Sequence, residues 1–335
     1  MKLFASFAKT NTAVHPNSGL GFGCMGITSF YGDALSDKDA MALLQTVYDS
    51  GVRHFDTAEA YVNPDPEKHN EKVLGKFLNT VPRDSYSIAT KYWPGQDAVH
   101  DYETVKAHLT QSLERLGLSH VDLYYSHRVT SLEAGIAFAK AATKLKEEGL
   151  IKAVGLSEVN GAWLKQIHTQ GGPIDAVQQE WSILTRTLEE ELVPVCKELD
   201  VCVVAYSPLS RNLLVQKLEA APADWRKDLP RYQAMEQNKK LADQVHDLAH
   251  KSNSTPAQLC LAWLFQKATE FGVSVVPIPG TTKPERATGN AKATDVKISA
   301  DDMKVLDAMA SQVVGARYQE GFMGNGMTIE SQTTK

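Results

Sequence analysis

Two kinds of hydrophobic pattern alternate along the chain. Runs of four to six β-branched or apolar residues recur between amphipathic stretches of 10 to 18 residues. The runs predict strands of a parallel sheet, and the stretches predict helices that cover it. The predicted strands are Leu20–Met25, Val52–Asp56, Ser87–Lys91, Val121–Tyr125, Ala153–Leu156, Ala176–Gln179, Cys202–Tyr206 and Ser274–Ile278. Eight βα units favour one closed (β/α)8 TIM barrel over residues 1–335, and an open doubly wound sheet with a second domain is the alternative.

Local signals predict where some of the helices begin and end. Ser36 and Asp39 form a capping-box pattern, which predicts a helix that begins just after Ser36. The segment Tyr102–Leu116 carries apolar residues at steps of four, four and three, and Gly117 follows as a stop. Segment 209–255 is much longer than a usual connection between strands, so we expect a functional loop and at least one helix there.

Composition and charge narrow the class of protein. A length of 335 residues suits one barrel, and 43% apolar with 22% charged residues is an ordinary globular composition. The net charge of −5 provides no basic field for a nucleic-acid partner. The longest apolar run, Leu259–Phe265, is too short to span a membrane, and Lys9 interrupts the N-terminal apolar run before it reaches signal-peptide length. We expect a soluble cytoplasmic protein, while the oligomeric state stays undetermined.

Three sequence features resemble functional motifs, but the residues around them argue against those functions. Gly21–Gly26 has the G-x-G-x-x-G spacing of a dinucleotide fingerprint, which requires an immediate helix, and the first capping signal arrives only at Ser36. His246 and His250 have the spacing of a helical zinc site, but they lie opposite the apolar face of their helix and are predicted to face solvent. The cysteines lie in apolar stretches without metal-ligand spacing, so they are interpreted as reduced core thiols: Cys24, Cys196, Cys202 and Cys260. No metal site is expected.

Polar residues follow three neighbouring predicted strands. Asp56 ends the second strand with Tyr61 shortly after it, Lys91 ends the third, and His127 follows the fourth. In a (β/α)8 barrel these strand ends meet at the active-site face. A phenol with an ordinary pKa of about 10 is a poor acid at neutral pH unless a nearby ammonium stabilises its phenolate. Lys91 can supply that charge while Asp56 holds it, and His127 can bond the hydroxyl or a substrate oxygen. Each residue taken alone also has a structural explanation. Asp56 can cap a helix and Lys91 can lie on the barrel rim. His127 can be a core histidine and Tyr61 a surface phenol.

Several short motifs occur in a fixed order along the chain. They are Asp56–Tyr61, Asn70-Glu71 before Leu74-Gly75, Lys91, His127, Gly155–Ser157, Gln178–Glu180, Ala205–Leu209 and Ile278–Gly280. With them the chain resembles the aldo-keto reductases from about Gly19 to Tyr318. Gly23–Gly26, His127-Arg128 and Ser157-Glu158 are most similar to the general aldehyde and ketone reductases of plants, fungi and bacteria. The resemblance implies reduction of an aldehyde or ketone, with Tyr61 as general acid, Lys91 and Asp56 tuning it, and His127 orienting the carbonyl.

A nicotinamide cofactor fits the ends of the last two predicted strands. Loops there, with a short helix N-terminus, form the usual phosphate site of such barrels. Lys283 and Arg286 flank a helix predicted to begin at Pro284, where cations are unfavourable unless an anion is bound. By resemblance that anion is the 2′-phosphate of NADPH, with Asn290 near the adenine. The ring of Tyr206 can stack on nicotinamide, or else it fills the top of the barrel.

The resemblance extends the cofactor site to further residues and also shows departures. It implies that Ser157 and Gln178 hold the carboxamide, and that the remaining contacts come from Met25, Asp56, Ser207, Leu209, Arg211, Gly280 and Thr282. Glu158 stands where many relatives have asparagine, which removes a hydrogen-bond donor and leaves its role open. Gly280 stands where many relatives have a lysine that binds the 2′-phosphate, so Lys283 is expected to take that task. Gly289 stands where a glutamate is common in relatives. NADPH is favoured over NADH.

The identity of the substrate is not readable from the pattern. Tyr31, Trp93 and Trp225 are predicted pocket walls, although the two tryptophans are equally explained as packing residues. Segment 62–69 is predicted to border the substrate. The segment from Gly315 onward, with Phe322 and Met323, either covers the barrel mouth or is disordered beyond Gly324, and residues 319–335 are a candidate flexible tail. Two other functions stay open: a cofactor-binding, redox-sensing subunit, and a lyase that forms a Schiff base at Lys91.

Overall fold

The computed structural model describes residues 19–93, 95, 100–220 and 222–319, and a parallel eight-stranded sheet in sequence order forms its centre. The strands are β1 (Gly21–Gly23), β2 (His54–Asp56), β3 (Ser87–Tyr92), β4 (Val121–Ser126), β5 (Ile151–Ser157), β6 (Ala176–Glu180), β7 (Cys202–Tyr206) and β8 (Val275–Pro277). Each consecutive pair is hydrogen-bonded in parallel. A doubly wound sheet would reverse its strand order, so that alternative is excluded and the predicted barrel is confirmed.

The two edges of the sheet meet through glycine backbone. A Cβ atom at Gly280, just after β8, would lie 2.5 Å from the carbonyl oxygen of Gly23 in β1. A Cβ atom at Gly23 would lie 2.7 Å from the carbonyl oxygen of Ile278. Both distances are far below van der Waals contact, so only glycine permits this approach. Gly23, part of the apparent dinucleotide fingerprint, therefore serves the closure of the barrel.

Helices surround the sheet. They are α1 (Asp37–Asp49), α2 (Asn70–Leu78), α3 (Tyr102–Leu116), α4 (Leu132–Glu147), α5 (Gly161–Gln170), α6 (Leu188–Leu199), α7 (Pro230–Gln233), α8 (Met235–Lys251), α9 (Pro256–Phe271), α10 (Pro284–Ala291) and α11 (Ala300–Ala308). The large hydrophobic cluster between helices and strands includes Leu43 of α1 and Leu109 of α3. A second cluster fills the barrel with side chains that range in size from Ala89 and Ala176 to Tyr125. The strands are therefore buried on both sides, as their continuous apolar runs predict.

Local sequence signals correctly locate several element ends. α3 has the predicted bounds and ends at Gly117, whose φ of 67° is left-handed. α1 begins after Ser36, whose hydroxyl accepts a hydrogen bond from the backbone N–H of Asp39 at 3.1 Å. β1 is shorter than predicted because Met25–Ile27 turns into a single 3-10 turn. Segment 209–255 contains α7, α8 and two further 3-10 turns, as expected of a long connection with its own structure.

The features that suggested other chemistries have structural explanations. No long helix follows the Gly21–Gly26 motif, only the short turn just described. His250 is exposed as predicted, but His246 is half-buried, because α8 packs along α9 and the flank of a packed helix is partly covered. All four cysteines are buried and free of disulfides. Within the described ranges, no three His, Cys, Asp or Glu side chains are grouped to hold a metal ion, and no helix is long and apolar enough to cross a membrane.

Candidate active site

The ammonium of Lys91 lies at the centre of the site. It donates to Oδ1 of Asp56 at 2.5 Å, to the carbonyl oxygen of Thr57 at 2.6 Å and to the hydroxyl of Tyr61 at 3.3 Å. The side chains of Lys91 and Asp56 are 0% and 2% exposed. Every N–H of the ammonium therefore has an oxygen acceptor, which fixes the position of the charge beside the phenol.

The barrel brings the four predicted catalytic residues together. Asp56 is the last residue of β2, Lys91 is the penultimate residue of β3, and His127 follows β4 directly. Parallel strands end at one face, so side chains far apart in the sequence meet there. Tyr61 reaches the same face from the loop after β2, and its ring lies edge-on to His127 with the ring centres 5.7 Å apart.

Gln178 links the opposite side of the barrel to this group. Its Nε2 donates to Oδ2 of Asp56 at 2.8 Å, and its side chain is buried in β6. The resemblance assigns Gln178 to the nicotinamide carboxamide, but the structure directs its amide nitrogen at Asp56. Asp56 thus has one oxygen bonded to Lys91 and the other to Gln178, so its carboxylate is held on both sides.

Burial and the charge of Lys91 have opposite effects on the pKa of Tyr61. Burial raises the pKa of Tyr61 above its ordinary 10.0, even though Lys91 acts to lower it. Removing the phenolate from water therefore has a larger effect on the pKa of Tyr61 than the nearby ammonium has. Burial also acts to lower the pKa of Lys91, but Asp56 and Tyr61 outweigh it and the pKa lies above 10.5. At neutral pH the phenol therefore keeps its proton, next to a charged lysine.

His127 is a neutral partner of the phenol. Burial, followed by the cations Lys91 and Arg128, lowers the pKa of His127 well below 6.5. Its ring also lies edge-on to Trp93, with the ring centres 5.2 Å apart. A neutral imidazole can offer one N–H to a substrate oxygen without adding charge. Sequence reasoning assigned no role to Arg128, which contributes a positive charge beside Tyr61 and His127.

Asn70 secures the loop that carries Tyr61. Its Nδ2 donates to the carbonyl oxygen of Cys24 at 2.9 Å and to Oγ1 of Thr28 at 2.7 Å. Its Oδ1 accepts from the hydroxyl of Thr57 at 2.6 Å, and its backbone N–H donates to the carbonyl oxygen of Tyr61 at 3.2 Å. Asn70 is 1% exposed, so this one amide ties the loops after β1 and β2 together in the dry interior.

Glu71 anchors the start of α2 to the neighbouring strand and helix. Its carboxylate accepts from the hydroxyl of Thr90 at 2.5 Å and from Nε of Arg115 at 2.6 Å. Thr90 precedes Lys91 in β3, and Arg115 belongs to α3. The motif Asn70-Glu71 was noted only as part of the resemblance, and the structure gives both residues a positioning role.

The loop after β7 is strained. Ser207, Ser210, Arg211 and Asn212 have positive φ values of 47°, 50°, 56° and 74°. Non-glycine residues adopt this conformation rarely and at a cost, and such strain concentrates at ligand sites. Successive backbone N–H groups in such turns also form concavities that bind anions. No sequence signal showed this strain, since the loop contains no glycine; only its length marked it.

Two predicted ligands on that loop have protein contacts. Leu209 is buried. The guanidinium of Arg211 donates to Glu180 at 3.2 Å and lies 4.2 Å from the centre of the Tyr318 ring, while its Nε has no hydrogen-bond partner among the described residues. Arg211 therefore retains donor capacity at the edge of the strained loop.

The loop after β8 presents cations to a helix N-terminus, as predicted. Lys283 and Arg286 are exposed, Thr282 is half-buried, and Asn290 is buried on α10. α10 begins at Pro284, and no side chain caps its first turn. The exposed N–H groups and the helix dipole favour an anion there.

The remaining predicted cofactor residues lie at the same face. Met25 begins the 3-10 turn after β1, and Ser157 ends β5 in register with Gln178. The departure at Gly280 has a structural reason, because any Cβ there would overlap the Gly23 carbonyl oxygen. A lysine at that position would require the backbone of Gly23 and Gly280 to move apart.

Glu158 pairs with Arg317, which the sequence placed only in the segment that could cover the barrel mouth. Its carboxylate bonds Arg317 through two contacts, of 2.8 and 3.1 Å, and both side chains are buried. The partners are 159 positions apart, so no local pattern predicts the pair. The carboxyl-terminal end of the described chain is therefore part of this site.

The predicted aromatic walls fall into two groups. Trp93 lies against His127 and is 43% exposed, whereas Tyr31 and Trp225 contact one another with ring centres 5.9 Å apart. No role was predicted for the exposed residue Phe30, whose ring lies edge-on to that of Tyr61 with the ring centres 6.3 Å apart; exposed Val62 belongs to the segment predicted to border the substrate. Phe30, Val62 and Trp93 form an exposed apolar rim at the general-acid candidate. Residues 320–335, with Phe322 and Met323, lie outside the described residues, and their prediction as a cover stays a prediction.

Comparisons with known proteins agree with this fold. The profile of the Aldo/keto reductase family matches residues 19–311. The probable aldo-keto reductase 1 of Glycine max is 39% identical over 320 residues, which cover 91% of this chain and 89% of that protein. The chain belongs to the Aldo/keto reductase family. Members of this family are oxidoreductases that act on small carbonyl compounds and generally use NAD(P)H.

Solved structures show the same barrel. A thermostable aldo-keto reductase, Tm1743, crystallised in complex with epalrestat, has a TM-score of 0.71 and 29% identity, covering 87% of this chain and 94% of that one. The glycerol dehydrogenase of Gluconobacter oxydans has a TM-score of 0.76 at 22% identity, covering 91% of this chain and 94% of the other. The second similarity concerns the fold alone.

Proposed function

We propose that the protein is an NADPH-dependent reductase of aldehydes and ketones in which Tyr61 donates the proton. The observation that carries this proposal is the Lys91 ammonium, bonded at once to Asp56, to the Thr57 carbonyl oxygen and to the Tyr61 hydroxyl. The arrangement supplies a protonated phenol whose conjugate base has a cation beside it. Such a group suits proton delivery to an alkoxide-like oxygen as it forms.

The direction of proton transfer follows from burial and charge. Tyr61 is protonated over the neutral range because burial raises its pKa. When the proton leaves, the fixed ammonium of Lys91 stabilises the new phenolate without any rearrangement. Asp56 and Gln178 keep the ammonium in place throughout. His127, being neutral, donates a hydrogen bond to the carbonyl oxygen and orients it toward Tyr61.

The described residues fit a nicotinamide dinucleotide. The strained 207–212 loop offers backbone donors to a pyrophosphate, with Arg211 beside them. Lys283 and Arg286 at the uncapped start of α10 suit a further phosphate, which favours NADPH over NADH. Ser157, Met25, Leu209, Thr282, Gly280 and Asn290 line the same face, and the ring of Tyr206 is the surface for the nicotinamide. When bound, the cofactor supplies the hydride.

The apolar rim favours carbonyl compounds with an apolar body. Phe30, Val62 and Trp93 are 51%, 61% and 43% exposed around the entrance to Tyr61. Exposed apolar groups clustered at a polar site are typical of ligand contact. Aryl aldehydes are therefore the first substrates to test.

The lyase alternative is disfavoured by the state of Lys91. A Schiff base requires a neutral amine, but the pKa of Lys91 is raised despite burial, through Asp56 and Tyr61. Its N–H groups are also engaged by three oxygens. The redox-sensing alternative makes a different prediction, because a sensor binds cofactor without rapid turnover.

The test is the loss of nicotinamide absorbance with NADPH and an aryl aldehyde. We expect turnover by the wild type and a loss of about 10²- to 10⁴-fold in kcat for Tyr61→Phe, the usual range for general acid catalysis. Tyr86→Phe is the matched control, since its buried hydroxyl has no hydrogen-bond partner among the described residues. Tight NADPH binding without turnover would support the sensor, and borohydride trapping of substrate on Lys91 would support the lyase.

A further inference from the structure

The hydroxyl of Tyr206 is held by three side chains. It donates to Oε1 of Glu158 at 2.5 Å, accepts a hydrogen bond from a guanidinium nitrogen of Arg317 at 3.2 Å, and lies 3.3 Å from the hydroxyl of Tyr318. Tyr206 is the last residue of β7, so its backbone is fixed by the sheet. With its hydroxyl fixed as well, the ring has one orientation.

Glu158 and Arg317 are themselves held in place. Arg317 bonds both oxygens of Glu158, and the side chains of Arg317 and Glu158 are 1% and 0% exposed. Glu158 has a positive φ of 56°, a strained conformation for a side-chain-bearing residue just after β5. Arg317 also lies 3.5 Å from Glu180, which in turn accepts from Arg211. Glu158 and Arg317, two of the three partners of the Tyr206 hydroxyl, are thus held in place by further contacts.

The chemistry of Glu158 excludes a role as hydrogen-bond donor to the nicotinamide carboxamide. A carboxylate only accepts hydrogen bonds, so Glu158 cannot supply the donor that an amide side chain would offer to a carboxamide oxygen. Its acceptors are used by Arg317 and Tyr206, with Gln179 Nε2 at 3.4 Å. Burial acts to raise the pKa of Glu158, but Arg317, Arg128 and the Tyr206 hydrogen bond outweigh it, so the group stays charged.

Attaching the segment around Arg317 through a buried ion pair has a high desolvation cost. Apolar side chains of equal volume usually attach a segment at least as well, because a buried pair loses most of its hydration. Ion pairs and polar networks are retained where they specify one geometry. Here the network includes the hydroxyl of Tyr206, whose ring is proposed to face the nicotinamide.

We propose that Glu158 and Arg317 are positioning residues that hold the Tyr206 ring for the nicotinamide, so that the segment around Arg317 completes the cofactor site. The inference rests on the proposed function. It assigns a role to Glu158 and extends the site to residues beyond the matched family region, which ends at residue 311. The ring is fixed before the cofactor arrives, so less conformational entropy is lost on binding.

The test is a double-mutant cycle on NADP⁺ affinity, measured by titration calorimetry on the purified full chain. Tyr206→Phe keeps the ring and removes the hydroxyl, and Arg317→Met removes the guanidinium at similar volume. We expect each to raise the Kd by about ten-fold, and the double variant to raise it no further, because both break the same link. Arg317→Lys, which retains a donor, should restore part of the affinity. Additive effects, or an unchanged Kd in Arg317→Met, would overturn the inference.

A separate variant, Arg83→Met, controls for a general loss of stability. Arg83→Met removes a cation from the buried carboxylate of Asp122, whose other oxygen pairs with Lys152. It should lower the unfolding midpoint and leave the Kd unchanged. If Arg317→Met does not fold, the double variant Glu158→Gln/Arg317→Met removes both charges at once. We expect this variant to bind NADP⁺ more weakly than the wild type. Wild-type affinity in the double variant would refute the inference. A wild type that binds no NADP(H) would refute the proposed function, and this inference with it.

Discussion

Gln178 on β6 donates a hydrogen bond to Oδ2 of Asp56 on β2, so two strands on opposite sides of the barrel meet at one carboxylate. The same carboxylate bonds Lys91 through its other oxygen. The amide therefore supports the lysine and, through it, the phenol of Tyr61. We therefore expect Gln178 to support the proposed proton transfer from Tyr61, in addition to any contact with a cofactor.

Replacing Gln178 should reduce both the stability of the protein and its turnover. Gln178→Met leaves one oxygen of a buried carboxylate without its donor, which costs about 1.5–3 kcal/mol for a bond to a charged group. Asp56 is then free to turn from Lys91, and we expect kcat for carbonyl reduction to fall about ten-fold, the equivalent of 1.4 kcal/mol. Gln45→Met is the control, because Gln45 donates to Asp49 on the exposed surface of α1. Equal kcat values in both variants would contradict the role.

The pH dependence of reduction should be flat over the neutral range. The acid candidate Tyr61 has a pKa raised above 10.0, so it holds its proton up to at least that pH. His127 has a pKa lowered well below 6.5, so it stays neutral down to at least that pH. We expect kcat for reduction to be constant between these limits and to fall above the upper one, whereas alcohol oxidation, which needs the phenolate, should rise there. A reduction profile with a midpoint near 7 would refute the assignment of both groups.

The exposed cations of α10 should determine the choice between NADPH and NADH. Arg286→Ala removes a guanidinium near the helix N-terminus, and loss of one charge-assisted contact should raise the KM for NADPH about ten-fold or more. The KM for NADH should stay within about two-fold, because the effect depends on the additional phosphate. Lys292→Ala is the control, since Lys292 caps the opposite end of the same helix. Parallel changes for both cofactors would place Arg286 outside the phosphate site.

The glycine closure of the barrel should be sensitive to a single methyl group. Gly280→Ala puts a Cβ atom 2.5 Å from the Gly23 carbonyl oxygen, and such overpacking lowers the free energy of unfolding by about 1–3 kcal/mol. Gly289→Ala is a matched change with open space around the new Cβ, so it should be neutral or stabilising by up to about 1 kcal/mol. Urea denaturation of the two variants distinguishes these outcomes. Equal stability would mean that the β1 and β8 edges can separate.

The pattern of residues along the chain located the eight strands, the bounds of α3 and the three candidate catalytic residues at strand ends. Such features depend on local properties: the direction of successive side chains, a capping hydroxyl, and the rule that parallel strands end at one face. Once a barrel is predicted, Asp56, Lys91 and His127 must converge, because each stands at the end of its strand. Gly117 likewise ended α3 as predicted, through its left-handed φ.

Only the tertiary structure decided the charge balance and the distant partners. The raised pKa of Tyr61 reflects burial that no sequence window measures, and the Gln178–Asp56 bond joins strands 122 positions apart. Arg317 reaches Glu158 across 159 positions, and the strain of the 207–212 loop is imposed by its surroundings. The physical reason is that backbone pattern is local, whereas dehydration and hydrogen-bond pairing depend on which surfaces the finished barrel brings into contact.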